Sequence, residues 1–121
     1  MPKFLLILRG DPETWRHLAP DQIQALIGEF ESWAGKLMAE GRFVDGRKLA
    51  DGHGRVLTGK PGKAVVTDGP YGETKEIVGG FHLIEADSYE HAVELCRDHP
   101  ELGLNGTVEI RQLDLMGQPD G

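Results

Sequence analysis

The order strand, helix, strand, hairpin, strand, helix, strand predicts an α+β protein, a ferredoxin-like split βαβ sheet with an inserted hairpin. Two observations carry that prediction. Apolar residues form helical stripes in two separate stretches, and each stretch is flanked by short β-like runs. The chain of 121 residues is also the size of one domain, long enough to bury about two-thirds of its unfolded surface without a metal or disulfide staple.

Phe4-Leu5-Leu6-Ile7-Leu8 is apolar at odd and even positions alike, as in a strand covered on both faces, and places the first strand at roughly 3–9. Residues 20–40 then carry Ile23, Leu26, Ile27, Phe30, Ala34, Leu37 and Met38 at i, i+3, i+4, i+7 spacing, with Pro20 in the first turn and Gly41 as the stop. Phe43 to Leu49 is a weaker strand. Val56-Leu57-Thr58 and Ala64-Val65-Val66-Thr67 form a hairpin around Gly59-Lys60-Pro61-Gly62. From Gly80 to Ala86 a further strand puts Phe81 and Leu83 on one face and His82 and Ile84 on the other. Asp87 is read as the cap of a second helix with Glu90 three residues on; Ala92, Leu95 and Cys96 form its stripe and Pro100 ends it. Thr107 to Leu113 closes the sheet. The domain is read as residues 1–116, with 117–121 a frayed tail.

Two helices cover one face of an antiparallel sheet. The other face also carries apolar residues, and the simplest cover for it is a second copy of the same sheet, so a homodimer through the sheet face is expected.

The charge balance removes several function classes. With 13 Lys+Arg against 20 Asp+Glu the formal net charge is −7, and no basic run offers a phosphate-binding surface, so a nucleic-acid partner is not expected. The apolar run near the start closes after five residues at Arg9, too short for a membrane span or signal segment, and a cytoplasmic protein is expected. A lone Cys96 agrees with a reducing compartment.

Five histidines, at 17, 53, 82, 91 and 99, show no metal-ligand spacing and have no cysteine partners, so neither a metal nor any other cofactor is implied. His91 and His99, on or at the end of the second helix, read as solvated imidazoles. His82 is the exception, because alternation places it on a face that meets either the helices or a partner. Gly54-Arg55-Val56-Leu57-Thr58-Gly59-Lys60-Pro61 comes within one residue of a phosphate-cradling loop, but Pro61 stands where the hydroxyl is needed and a strand follows, so it is a hairpin turn.

Seventeen residues are glycine, twice the usual ~7%, and ten of them fall between residues 41 and 80. Inside that stretch Asp68-Gly69-Pro70 is a turn, Gly79-Gly80 allows a close approach at the start of a strand, and Tyr71, Glu73, Lys75 and Glu76 form an ionisable cluster between them.

Asp68-Gly69-Pro70-Tyr71, Glu73-Thr74-Lys75-Glu76 and Gly79-Gly80-Phe81-His82-Leu83-Ile84 together resemble the signature of the YCII-related proteins of the DGPF type, with Tyr71 where the signature has Phe. The resemblance runs over nearly the whole chain, to Val108-Glu109-Ile110-Arg111. It implies a ferredoxin-like domain that pairs through its sheets into a dimeric α/β barrel. Some members of the family occur beside sigma factors, and smaller relatives carry a histidine and an aspartate proposed as an acid/base pair. The first helix here has no histidine to match that pair; Asp68 carries over as a motif aspartate.

Two functions fit these features. In the first, a small-molecule enzyme uses His82 for proton transfer, Asp68 to orient the imidazole, and Tyr71, Glu73 and Lys75 as substrate contacts. In the second, a non-catalytic dimeric module binds a ligand or a protein and is linked to sigma-factor regulation. An enclosed pocket lined by ionisable groups favours the first, and an open apolar patch the second.

Overall fold

Alternate residues of the first strand settle which way the sheet faces. Phe4, Leu6 and Leu8 are buried while Leu5 and Ile7 are half-buried, so one side is packed in full and the other only in part. In the computed structural model, residues 1–69 and 77–114 are described. Along the chain they form β1 (Lys3–Gly10), α1 (Pro12–Arg16), α2 (Pro20–Ala39), β2 (Phe43–Lys48), β3 (Arg55–Thr58), β4 (Val65–Asp68), β5 (Ile77–Glu85), α3 (Tyr89–Cys96), a 3-10 turn (Pro100–Leu104) and β6 (Thr107–Gln112).

Four strands make an antiparallel sheet in the order β2-β5-β1-β6, and β3 and β4 pair separately as a hairpin. This is the ferredoxin-like arrangement with an inserted hairpin that the element order predicts. The helices pack on the face that carries Phe4, Leu6 and Ile84, all fully buried, together with Trp33, Leu37, Ala92 and Cys96. Burial pushes the Cys96 thiol up to about 12, which leaves it an inert packing residue. No helix among the described residues is long and apolar enough to cross a membrane.

Local chemistry explains the element ends. Helix α2 starts at Pro20, with the Gln22 side chain accepting a hydrogen bond from the Ala19 N–H at 2.7 Å. It ends where Gly41, at φ +72°, lets its own N–H and that of Arg42 return to the carbonyls of Met38 and Leu37. The turn between β3 and β4 uses Gly59 and Gly62, at φ +112° and +78°, which confirms the hairpin.

Three details depart from the expectation. Helix α1 was not foreseen. The cap of α3 is Ser88, whose hydroxyl accepts from the His91 N–H at 3.1 Å, and not Asp87 one residue earlier. His91 is a first-turn residue, not an imidazole at the helix end, and its Nδ1 accepts from the Asp87 N–H at 3.0 Å.

Two irregularities in strand pairing shape the region next to the site. The β1–β5 register slips between Leu8 and Arg9, opposite Gly79, and the β2–β5 register slips between Phe43 and Asp45, so that Val44 is an extra residue. The second slip puts Phe43, Gly46 and Lys48 opposite Ile84, His82 and Gly80, all on the helix-covered face. Without it Gly46 and Lys48 would point the other way.

Candidate functional site

His82 stands on β5 opposite Leu6 of β1 and Gly46 of β2, on the side where α2 packs. A Cβ at position 46 would come within 2.5 Å of His82 Cδ2 and 2.9 Å of Phe43 Cζ, so only glycine leaves the imidazole its place. Trp33 of α2 stacks on the ring with centroids 5.1 Å apart and 27° between planes, and Phe43 meets it edge-on at 5.6 Å. The indole is fixed in turn, its Nε1–H donating to the Leu95 carbonyl at 3.1 Å.

The partner of His82 is His99. Their Nδ1 and Nε2 atoms are 3.0 Å apart, and His99 is 2% exposed, buried against Trp33 and Phe30. Read from sequence as a solvated imidazole at a helix end, His99 is instead the buried residue just ahead of Pro100, whose side chain caps the 3-10 turn. Its Nδ1 accepts the Glu101 backbone N–H at 3.0 Å.

That last bond fixes the protons of the pair. A main-chain N–H can only donate, so Nδ1 of His99 is an acceptor and the proton of its neutral ring is on Nε2. Nε2–H therefore donates to Nδ1 of His82, and the proton of His82 lies on its own Nε2. Burial holds both rings neutral, lowering His82 to about 4 and His99, with His82 beside it, to about 3. The free end of the pair is thus an N–H donor. Among the described residues no protein group accepts from it.

It opens on a cavity of about 270 Å³ between α1, α2, β2, the start of β5 and the 3-10 turn. Leu8, Trp15, Ile27 and Phe30 give it apolar walls, and Lys48 and Glu101 bring charge to it. Lys48 Nζ bonds Asp51 at 3.0 Å and lies 5.9 Å from the centroid of the Trp15 ring. The Glu101 carboxyl is held above the usual carboxylate range by burial, with the Lys48 charge acting against the rise.

The structure does not bring Asp68 to His82. Asp68 ends β4 on the separate hairpin, its side chain 92% exposed and 3.7 Å from Arg55, while Nδ1 of His82 pairs with His99. An aspartate so exposed cannot orient an imidazole in the core. Tyr71, Glu73 and Lys75 lie outside the described residues. At Gly80 the close approach expected of the glycine pair is to protein backbone, since a Cβ there would meet the Arg47 carbonyl at 2.8 Å.

Comparison with known proteins places the chain in a family. Residues 3–116 match the YCII-related domain family. An uncharacterized protein of Rhizobium meliloti (strain 1021) is 36% identical over 83 residues, which are 68% of this chain and 63% of that protein, so the match spans less than two-thirds of the relative. With nearly its whole length matched, the chain belongs to the YCII-related domain family.

Proposed function

We propose that the protein is a small-molecule enzyme whose cavity takes a compact organic ligand, held by a carbonyl or carboxylate oxygen on the Nε2–H of His82. The observation that carries this reading is the His82–His99 pair, a half-buried and a buried imidazole aligned so that one N–H is offered to a cavity lined by ionisable groups. A neutral imidazole N–H in low-dielectric surroundings stabilises negative charge developing on an oxygen without moving a whole proton. In this reading His82 is a fixed donor, which revises the general acid/base role expected from sequence. The volume lies near the lower end of small-molecule pockets, about 300 Å³, and suits a ligand of one ring or a short chain.

The enzyme works as a homodimer through the helix-free face of the sheet, where Leu5, Ile7, Phe81 and Leu83 are half-buried in the single chain. A single cysteine suits a reducing, cytoplasmic setting.

A thermal-shift screen of small carbonyl compounds and organic acids tests the site. A ligand at about 100 times its Kd adds roughly 2.7 kcal/mol of stability to the wild type. Gly46→Ala, which drives a methyl group into His82, is expected to abolish the shift for the same compound. A shift of equal size in that variant would place the ligand elsewhere and end this reading.

A further inference from the structure

Two N–H donors on the cavity have no acceptor among the described residues, and the register of β2 brings them together. One is His82 Nε2–H. That nitrogen lies 3.3 Å from a Cβ placed on Gly46, so the ring leans over β2. The other is on Lys48, two residues beyond Gly46 on the same face of β2, about 7 Å along the strand. Lys48 is also the partner of Gly80, which makes it a diagonal neighbour of His82, and such neighbours meet through long side chains. Gly46 and Gly80 are the other two corners of this square, and neither puts a side chain between them. Of the three hydrogens of the Lys48 ammonium, the Leu49 carbonyl takes one at 3.1 Å and Asp51 another at 3.0 Å. The third is open, and the ammonium lies 5.9 Å from the centroid of the Trp15 ring at the cavity wall. Its charge is felt inside the cavity, where it opposes the upward push of burial on the Glu101 carboxyl. Arg47, the other cation there, alternates to the opposite face of β2 and donates to Asp45 and the Gly46 carbonyl.

We propose that Lys48 is the anion-binding residue of this cavity, and that the ligand is a compact oxo acid with its carboxylate on Lys48 and its carbonyl oxygen on His82 Nε2–H. This rests on the cavity reading above and adds a specificity-determining residue and a ligand class to it. An ammonium on a flexible stem meets a carboxylate as a point charge, and its third hydrogen serves the ligand without displacing Asp51. The carboxylates of Asp11, Glu31, Asp51 and Glu101 also border the cavity and repel further negative charge, so the ligand carries one carboxylate and not two. Its apolar remainder, a ring or a short chain, lies against Leu8, Ile27 and Phe30.

Three probes separate the two contacts. Phenylpyruvate has a ring, a ketone and a carboxylate; phenylacetone has a methyl group in place of the carboxylate; 3-phenylpropanoate lacks the ketone oxygen. Binding of each to the full chain is measured by titration calorimetry. The wild type is expected to prefer phenylpyruvate to phenylacetone by about 10-fold or more, as a hydrogen bond to a charged group provides, and the preference should shrink as salt is raised. Lys48→Met keeps the stem without the charge and should bring these two within about twofold by weakening phenylpyruvate alone, while Lys48→Arg keeps most of the preference. Lys48→Gln serves if the methionine variant does not fold. Gly46→Ala should weaken both, because both need His82. Equal binding of the two by the wild type, or a preference that survives in Lys48→Met, would remove Lys48 from the site and leave the cavity reading in place. 3-Phenylpropanoate binding as well as phenylpyruvate would remove the oxo group from the ligand class. Binding of none of the three, or binding untouched by Gly46→Ala, would overturn the cavity reading as well.

Discussion

Alternate residues of β1 and β5 build the two faces of the sheet, and the faces end in different states. On the helix-covered side Phe4, Leu6 and Ile84 have no exposed surface, and His82 Nδ1 and the Trp33 indole N–H are paired, with His99 and with the Leu95 carbonyl. On the other side Leu5, Ile7, Phe81 and Leu83 stay half-buried between ion pairs, Lys3 with Glu85 at 3.6 Å and Arg9 with Glu109. One chain therefore completes its first face and leaves its second unfinished. The face that needs no partner is also the one that holds the cavity.

The largest break in that comparison is expected from Phe4→Ala. It empties a fully buried ring site, where Tyr89 packs edge-on at 5.0 Å, and should cost about 3–5 kcal/mol in chemical denaturation. A smaller and pH-dependent loss follows from the histidine pair. The unfolded chain takes up protons near pH 6.5, but the folded chain takes them up only near 4 at His82 and near 3 at His99. Between those values the unfolded state binds more protons, so stability falls as pH falls, by up to about 1.4 kcal/mol per unit and per group. Glu101, raised by burial, works with the opposite sign above the ordinary carboxylate range and offsets part of the loss. Denaturation midpoints that stay level from pH 6.5 to 4.5 would show that the pair is not held neutral. The smallest effect on the protomer is expected from Phe81→Asp on the unfinished face, within about 1 kcal/mol. With the proposed dimer, light scattering should then report a dimer for the wild type and a monomer for the variant; a variant that remains dimeric would move the interface to another face.

Strand alternation and helical periodicity were enough to read the sheet, because each depends on residues close in sequence. Phe4–Leu8 and the stripe from Ile23 to Met38 gave β1 and α2 to within a residue or two. The five residues of α1 are too few for a period to register. Val44 could not be seen as an extra residue, since a register slip exists only between two strands, yet it sets the direction in which Gly46 and Lys48 face. At the site, alternation placed His82 opposite Phe81 and Leu83 but left open whether helices or a partner cover its face; α2 does. His99 was misread because the end of a helix is usually wet. A signal was nevertheless present: a residue directly ahead of Pro100 sits where helical caps sit, and a cap side chain accepts a backbone N–H two residues on. Asp68 was chosen for its motif, and a motif carries no distance. Its place on a hairpin whose Leu57, Val65 and Val66 are also exposed sets it apart from the sheet's core.

The bond from the Glu101 main chain to His99 makes the orientation of the histidine pair independent of which side chain stands at position 101. Because the donor is a peptide N–H, any residue but proline at position 101 preserves the polarity of the imidazole relay and the hydrogen offered by His82. The side chain at 101 can then vary while the direction of the pair's hydrogen bonds stays the same.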